Sequence, residues 1–562
     1  MKKLNLFICL AIFIANLNAQ VPDYPLKAYF DGTHVYTYYK NSDGNIEFQK
    51  FSHPNLVDIQ TFTNPFQTPN DRPYDLVTDG QFIYITGKVN DNGNFKNLVL
   101  KYDLSGLLND FYISDLSAYN ESGFSIAKYN DDVYFTGHVT DRNGINSVLI
   151  NKLDMDLNPY TNENFPVYYS FNPSVSNDFG TKILVDKGHI YVAGSTDQGG
   201  ANGADIFQLT LTKENTNLVA DVINIENSNE YPVDFMFTQF DADTRQKNKT
   251  VMTSISETPS VKNMITHFFD VDVNFNHYML WYNLFQGSNS FDIPAKIIEG
   301  NSNDILLTGF TKQSSEDFDF VTMKLDKLTG KPKWTPDFTT FDNNNQDDMS
   351  SSMVKNGNFV YVAGFSEASE NKYELIKIDE SSGQIVTNWN ATYTPTFLSK
   401  YYEGKYRIKT CVAYIENKLT LVGSICHLDG SELSFGIATI DSTGSVISTY
   451  EYDVNTQPDI SINNNQKNDE KIELNVFPNP FNPETKIKFE LNGKSFVELK
   501  IYDVTGREIS TLVNMEINPG IYEYKWDGGK NASGVYFYRL TLNSDNAFGA
   551  KYSETKRMVL IK

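Results

Sequence analysis

Short runs with no charge on either face recur along the chain, each closing on glycine: Ile83-Tyr-Ile-Thr-Gly87, Val133-Tyr-Phe-Thr-Gly137, Ile190-Tyr-Val-Ala-Gly194, Ile305-Leu-Leu-Thr-Gly309, Val360-Tyr-Val-Ala-Gly364 and Leu419-Thr-Leu-Val-Gly423. A strand apolar on both faces has to be covered by protein on both sides. One sheet cannot cover six such strands far apart in sequence, whereas neighbouring copies of a repeated sheet can. Val35-Tyr-Thr-Tyr-Tyr39 and Val251-Met-Thr-Ser254 fill the remaining gaps as degenerate copies. The series 39, 87, 137, 194, 254, 309, 364, 423 then advances by 48 to 60 residues and gives eight units.

Each unit has one grammar. A first strand precedes the glycine strand across a tight turn, as in Ile183-Leu-Val-Asp-Lys-Gly-His189 before Ile190. A third strand follows a polar loop and ends in a recurring tail: Lys101-Tyr-Asp103, Lys152-Leu-Asp154, Lys324-Leu-Asp326, Lys377-Ile-Asp379, Thr439-Ile-Asp441. A turn such as Asp441-Ser-Thr-Gly444 leads to a fourth strand, with Asp bonding its own backbone and Gly supplying positive φ. Four antiparallel strands per roughly 50–60 residues describe a propeller blade. The expected fold class is all-β: an eight-bladed β-propeller over 20–455, or a seven-bladed one with a degenerate terminal unit. The motif glycine is expected to let a neighbouring backbone or side chain approach where a Cβ would collide. The tyrosine three residues earlier is expected to pack between blades.

The grammar Ile190-Tyr-Val-Ala-Gly194 followed by Asp205-Ile-Phe-Gln-Leu209, repeated as Leu306-Leu-Thr-Gly309 followed by Asp319-Phe-Val-Thr-Met-Lys324, resembles the repeats of bacterial secreted and surface β-propeller proteins. That likeness covers roughly 21–455 and implies a fold, not an activity.

Residues 456–471 lose apolar periodicity and read as a polar linker. Beyond them strict alternation returns, in Lys486-Ile-Lys-Phe-Glu-Leu491 and Val497-Glu-Leu-Lys-Ile501, which predicts half-buried strands of a small immunoglobulin-like β-sandwich over 472–562. Its opening, Leu474-Asn-Val-Phe-Pro-Asn-Pro-Phe-Asn-Pro483, resembles the C-terminal sorting domain (type A) of type IX (Por) secretion substrates. The similarity rests on Phe477, Pro478, Asn479, Pro480, Asn482 and Pro483. It continues through Gly506 and Arg507, then Gly534 and Tyr536, and ends at Lys556 and Met558. The resemblance implies passage through the type IX outer-membrane machinery to the medium or the outer cell surface.

The N-terminus agrees with export. Lys2-Lys3, the apolar run from Leu4 to Leu17 and the small-residue site ending at Ala19 form a signal peptide over 1–19, a substrate for the Sec machinery and signal peptidase. No other stretch approaches the ~20 apolar residues of a membrane-spanning helix. The formal charge is −23, and −25 once Lys2 and Lys3 leave, which argues against nucleic acid as a partner. Cys411 and Cys426 are offset by about four residues from facing each other across a hairpin, so two buried thiols are expected rather than a bridge.

Catalytic motifs are absent. Histidines 34, 53, 138, 189, 267, 277 and 427 show no zinc spacing, and Gly-x-Ser-x-Gly does not occur. His138 and His189 are expected in loops or turns. Carboxylates are the plentiful resource: loops between second and third strands carry Asp197, Asp205, Glu316, Asp317, Asp319, Glu367 and Asp429, and a loop into a first strand holds Asp347-Asp348. Asp197, Asp205, Asp317 and Asp319 are the metal candidates, with calcium the only cofactor in view. Paired carboxyls are also the requirement of a glycosidase. Three roles follow: a binding protein for an extracellular protein or glycan, a carbohydrate-active hydrolase or lyase, and a passive surface scaffold.

Overall fold

The computed structural model describes residues 28–452 and 474–561, apart from interstrand segments that include 31–33, 41–45, 64–70, 198–202, 239–248, 313–316, 401–405, 428–432, 504–506 and 545–550. The leader at 1–19 and the linker at 456–471 lie outside the described residues. Two compact units emerge, one of 1–62 with 68–459 and one of 63–67 with 460–562.

In the larger unit each repeat becomes one four-stranded sheet, its strands side by side in chain order. Sheets 1 to 8 span 28–63, 72–113, 120–169, 177–223, 229–285, 292–341, 348–393 and 406–452. The motif strand is second in all eight, including the degenerate copies. The first strands of successive sheets contact each other from sheet 2 through sheet 8, and sheet 1 touches both sheet 2 and sheet 8.

The motif glycines answer to a backbone irregularity. In sheets 2 to 7 the register between first and second strands slips at this level, a bulge in the first strand. The bulge aims a carbonyl at the glycine: a Cβ would lie 2.1 Å from Phe179 O at Gly194, and 2.1 Å from Ile293 O at Gly309. Any side chain there would have to displace the first strand. The tyrosines pack between sheets as expected. Tyr191 joins Phe235, Met252 and Phe269 of sheet 5, and Tyr134 joins Ile183 and Val192 of sheet 4.

Polar stitches supplement this packing. Indole N–H groups donate to the turn of the following sheet: Trp281 to Lys327 O at 3.0 Å, Trp334 to Glu380 O at 2.8 Å, Trp389 to Ser442 O at 3.0 Å. Lysines of the third strands do the same, Lys50 to Leu104 O at 2.7 Å and Lys101 to Met155 O at 2.6 Å. Between the last and first sheets Ser448 donates to Pro54 O, and Val35, Phe51 and Leu56 share a core with Val422, Phe435, Ile437 and Tyr452. The turn aspartates act as their spacing predicts: Asp103 Oδ1 accepts the Ser105 and Leu107 N–H groups at 2.9 Å, and Gly106 has φ +87°.

Three expectations are corrected, the first being His189, which opens the second strand of sheet 4 and pairs with Asp186 and Thr212 instead of lying in a turn. His138 lies inside the second strand of sheet 3, between the rings of Phe124 and Phe179 at 5.1 Å each, and not in a loop. That strand runs past its glycine to Thr140, so the residue after the glycine is still in the ladder. Cys411 is half-buried rather than buried. It stands opposite Val422, with Arg407 opposite Cys426, as the hairpin spacing requires.

The smaller unit holds a three-stranded and a four-stranded antiparallel sheet. Ile487, Phe489 and Leu491 of the first share one core with Val497, Leu499, Ile501, Leu540 and Met558 of the second. Lys486 and Lys488, alternating with them, are exposed, which is how the period-two pattern makes half-buried strands.

Candidate functional site

The loops between second and third strands and those entering first strands lie at one end of the sheets. A buried carboxylate recurs there as a structural fixture. Asp178, Asp292 and Asp348, each at the start of a first strand, accept from a hydroxyl at the end of the second: Thr196 at 2.5 Å, Thr311 at 2.5 Å, and Ser366. Each also takes a backbone N–H from the incoming loop, from Phe171, Gly287 and Asn343. Burial pushes Asp178 and Asp292 up and Asp348 to about 7. The hydroxyl stands two residues after the motif glycine and the acid 18 or 19 residues before the hydroxyl, a spacing present in the sequence and overlooked there.

Sheet 6 departs from this economy. Its third strand, Asp319–Leu325, pairs with its fourth, Phe338–Phe341, with Phe320 opposite Phe341, so Asp319 faces Asp342 just beyond the ladder. Like charges directly opposite on a sheet repel. Asp317 joins them, and ligand oxygens of all three lie within 4.8 Å of one another. Phe318 fixes the stretch: its ring is buried edge-on to Phe310 at 5.4 Å, and its N–H donates to Asp347 Oδ1 at 2.9 Å. Asp319 is 7 % exposed. Its Oδ1 and both oxygens of Asp317 are buried and accept no hydrogen bond. Burial, then the charges of Asp342, Asp317, Asp348 and Asp347, push Asp319 up to about 7.

Of the metal candidates, Asp317 and Asp319 therefore come together. Asp197 and Asp205 belong to sheet 4, at the end of its second strand and the start of its third, and are not part of this group. Glu316 and Asp429 lie outside the described residues. Asp342 was missed because it follows a short fourth strand that only the register sets against Asp319.

Three other places carry chemistry. A cavity of about 280 Å³ between sheets 2 and 3 is lined by Asn97, Tyr112, Glu121, Asn151 and Tyr168 among others, with Glu121 its single carboxylate. Thr210, His277 and Asp221 form a chain, Thr210 Oγ1 to His277 Nε2 at 2.6 Å and His277 Nδ1 to Asp221 at 2.6 Å. Thr210 is wholly buried, so this relay ties sheet 4 to sheet 5 and presents no nucleophile. Finally, the edge strand of sheet 5, His277–Phe285, displays Tyr278, Met279, Leu280, Tyr282 and Leu284 at 42–55 % exposure.

In the smaller unit the sorting-motif residues meet the final strand, Lys551–Leu560. Asn479 Oδ1 accepts the Val559 N–H at 2.8 Å, Lys556 donates to Leu474 O at 2.7 Å, and Met558 is buried. Pro478 O accepts from Thr485 at 2.6 Å and Pro483 O from the Gly528 N–H at 2.8 Å. Pro480 and Asn482 flank the buried Phe481, while Phe477 is 80 % exposed. Tyr536 donates to Ala532 O at 2.8 Å, Gly534 opens that strand, and Arg507 pairs with Asp503 at 3.0 Å. Gly506 lies outside the described residues.

The chain is an all-β protein of propeller-like build. Residues 475–551 match the family described as the secretion system C-terminal sorting domain. The chain thus carries a sorting tail, which implies the type IX machinery and export, either to attachment on the outer cell surface or to release. Among the described residues no helix is long and apolar enough to cross a membrane. No curated protein matches the chain. Similar solved structures include a prolyl endopeptidase (9 % identity over 74 % of this chain and 58 % of that one, TM-score 0.36). A putative 6-phosphogluconolactonase of Bacteroides fragilis is 12 % identical over 67 % of this chain and 99 % of its own, with TM-score 0.34. The β-propeller domain of the Trilobed protease from Pyrococcus furiosus is 10 % identical over 70 % and 98 %, with TM-score 0.35.

Proposed function

We propose that the chain is an exported binding protein: an eight-bladed β-propeller over 20–455, led out by a signal peptide at 1–19 and joined through 456–471 to a sorting β-sandwich at 472–562. Eight sheets of contiguous sequence, each touching the next and the last touching the first, support the ring. Two sheets around one core support the sandwich.

The observation that carries binding is the edge strand His277–Phe285. Large apolar side chains exposed in one contiguous run mark interaction surfaces. Trp281 turns inward to stack on Phe268 at 5.1 Å, so the strand is held rigid while Tyr282 and Leu284 face out. The partner is an extracellular protein. Full-length chain should capture it from medium proteins, and Tyr282→Lys with Leu284→Lys should abolish capture without changing the melting temperature. Capture unaffected by both changes would defeat the docking strand, and no capture by either would favour a passive scaffold.

A hydrolytic role fares worse. It requires two carboxyls about 5–9.5 Å apart in a concave site. The sheet 6 carboxylates include an exposed Asp342 and line no described cavity, and the cavity between sheets 2 and 3 holds Glu121 alone.

A further inference from the structure

We propose that Asp317, Asp319 and Asp342 bind a calcium ion that clamps the start of the third strand of sheet 6 to the end of the fourth. This goes beyond the binding role and stands or falls independently of the strand His277–Phe285.

Acidic residues at a surface are ordinarily solvated and indicate nothing. Here three oxygens, both of Asp317 and Oδ1 of Asp319, are withdrawn from water and accept no hydrogen bond. Asp319 is more than nine-tenths buried with Oδ1 unpartnered, and both Asp317 oxygens are buried and unpartnered. Burying an ionised carboxylate without a donor or countercharge is costly, so something positive is missing from the account. Among the described residues no lysine or arginine pairs with Asp317 or Asp319. Lys312, the nearest lysine before the cluster, places its ammonium over the Phe318 ring, 5.6 Å from the centroid. Asp347 and Asp348 are spent on the Phe318 N–H and on Ser366 and the Asn343 N–H.

The donor set names the kind of ion. Three carboxylates with no histidine or cysteine suit a hard cation bound through oxygen. Oxygens that all lie within 4.8 Å of one another can share one ion, and an unevenly built carboxylate set suits calcium's flexible shell at ~2.3–2.6 Å better than the near-ideal octahedron magnesium demands at ~2.0–2.1 Å. Asp342 is exposed, which gives the ion a route in and leaves room for water to complete the shell. The anchored Phe318 holds Asp317 and Asp319 in place before the ion arrives.

The test uses full-length chain stripped with chelator, titrated calorimetrically with calcium and melted with and without it. One calcium per chain is expected, with a dissociation constant no weaker than the ~10⁻⁴–10⁻³ M of extracellular calcium modules, and a rise in melting temperature. Asp319→Asn should weaken binding at least tenfold and remove the rise, yet melt in chelator no lower than the parent, which shows that it folds. Asp342→Asn should lose affinity likewise. Three results would each overturn the assignment: no calcium response at about 10 mM, an undiminished response in Asp319→Asn, or magnesium binding as tightly as calcium.

Discussion

Sheets 6 and 7 follow one plan and end in opposite chemistry. In both, the second strand closes on a hydroxyl, Thr311 or Ser366, that donates to a buried carboxylate, Asp292 or Asp348. Opposite those hydroxyls the third strands begin with Asp319 in sheet 6 and Lys372 in sheet 7. Lys372 reaches the buried Glu374 at 2.8 Å, which also accepts from Asn390 at 3.1 Å. Asp319 instead meets Asp342 and Asp317. The backbone plan therefore accepts charge at this rim, but among the described residues it is neutralised in sheet 7 and not in sheet 6. The difference identifies sheet 6 as the place where an outside cation belongs.

Removing the countercharge from sheet 7 is the harshest way to break the comparison. Lys372→Met should cost about 3–5 kcal/mol in chemical denaturation, because Glu374 is left buried without a countercharge, with the neutral Asn390 amide as its remaining partner. Adding Glu374→Gln should restore most of that loss. If Lys372→Met alone is neutral, the pair does not balance the rim.

The shared skeleton comes next. Gly309→Ala and Gly364→Ala should each lose about 1–3 kcal/mol, because the new Cβ would meet Ile293 O at 2.1 Å and Met349 O at 2.3 Å. Equal losses would confirm that the two sheets differ at the rim and not in the ladder.

Acid stability has to be separated from these carboxylates. His267 in sheet 5 is wholly buried, and burial lowers it to about 3 from 6.5. Between those values the unfolded chain takes up a proton that the folded chain refuses. His267 therefore contributes a fall in stability as pH drops from about 6.5 towards 3, by at most about 1.4 kcal/mol per unit, and His138, lowered likewise to about 3 by burial, contributes a second of the same sign. His267→Leu should flatten that limb in denaturation measured across the range, and an unchanged slope would rule it out.

The gentlest change imports sheet 7's solution into sheet 6. Asp319→Lys should raise stability in chelator by up to about 1 kcal/mol, since it turns a repulsive cross-strand pair into an attractive one. A loss in chelator would mean that the three carboxylates do not strain the apo rim.

The strand repeat was legible because a strand apolar on both faces closing on glycine has few other uses, and the degenerate copies at Tyr39 and Ser254 took their places in second strands. The turn aspartates and the Cys411–Val422 register followed from local spacing. What escaped depended on pairing between distant segments. Asp342 gains meaning only opposite Asp319, and the indoles of Trp281, Trp334 and Trp389 only beneath the next sheet's turn. His138 was misplaced because its strand outlasts the motif that identified it.

Among the described residues every sheet is cut from one continuous stretch, and no backbone ladder runs from sheet 8 to sheet 1. That boundary is held by side chains, by Ser448 on Pro54 and by the cluster around Phe51 and Phe435. In the proposed ring this seam is the one that the described chain does not cross, whereas the other seams keep the covalent passage from one sheet to the next. A lineage could also insert or delete a whole unit beside it without severing a single strand pairing.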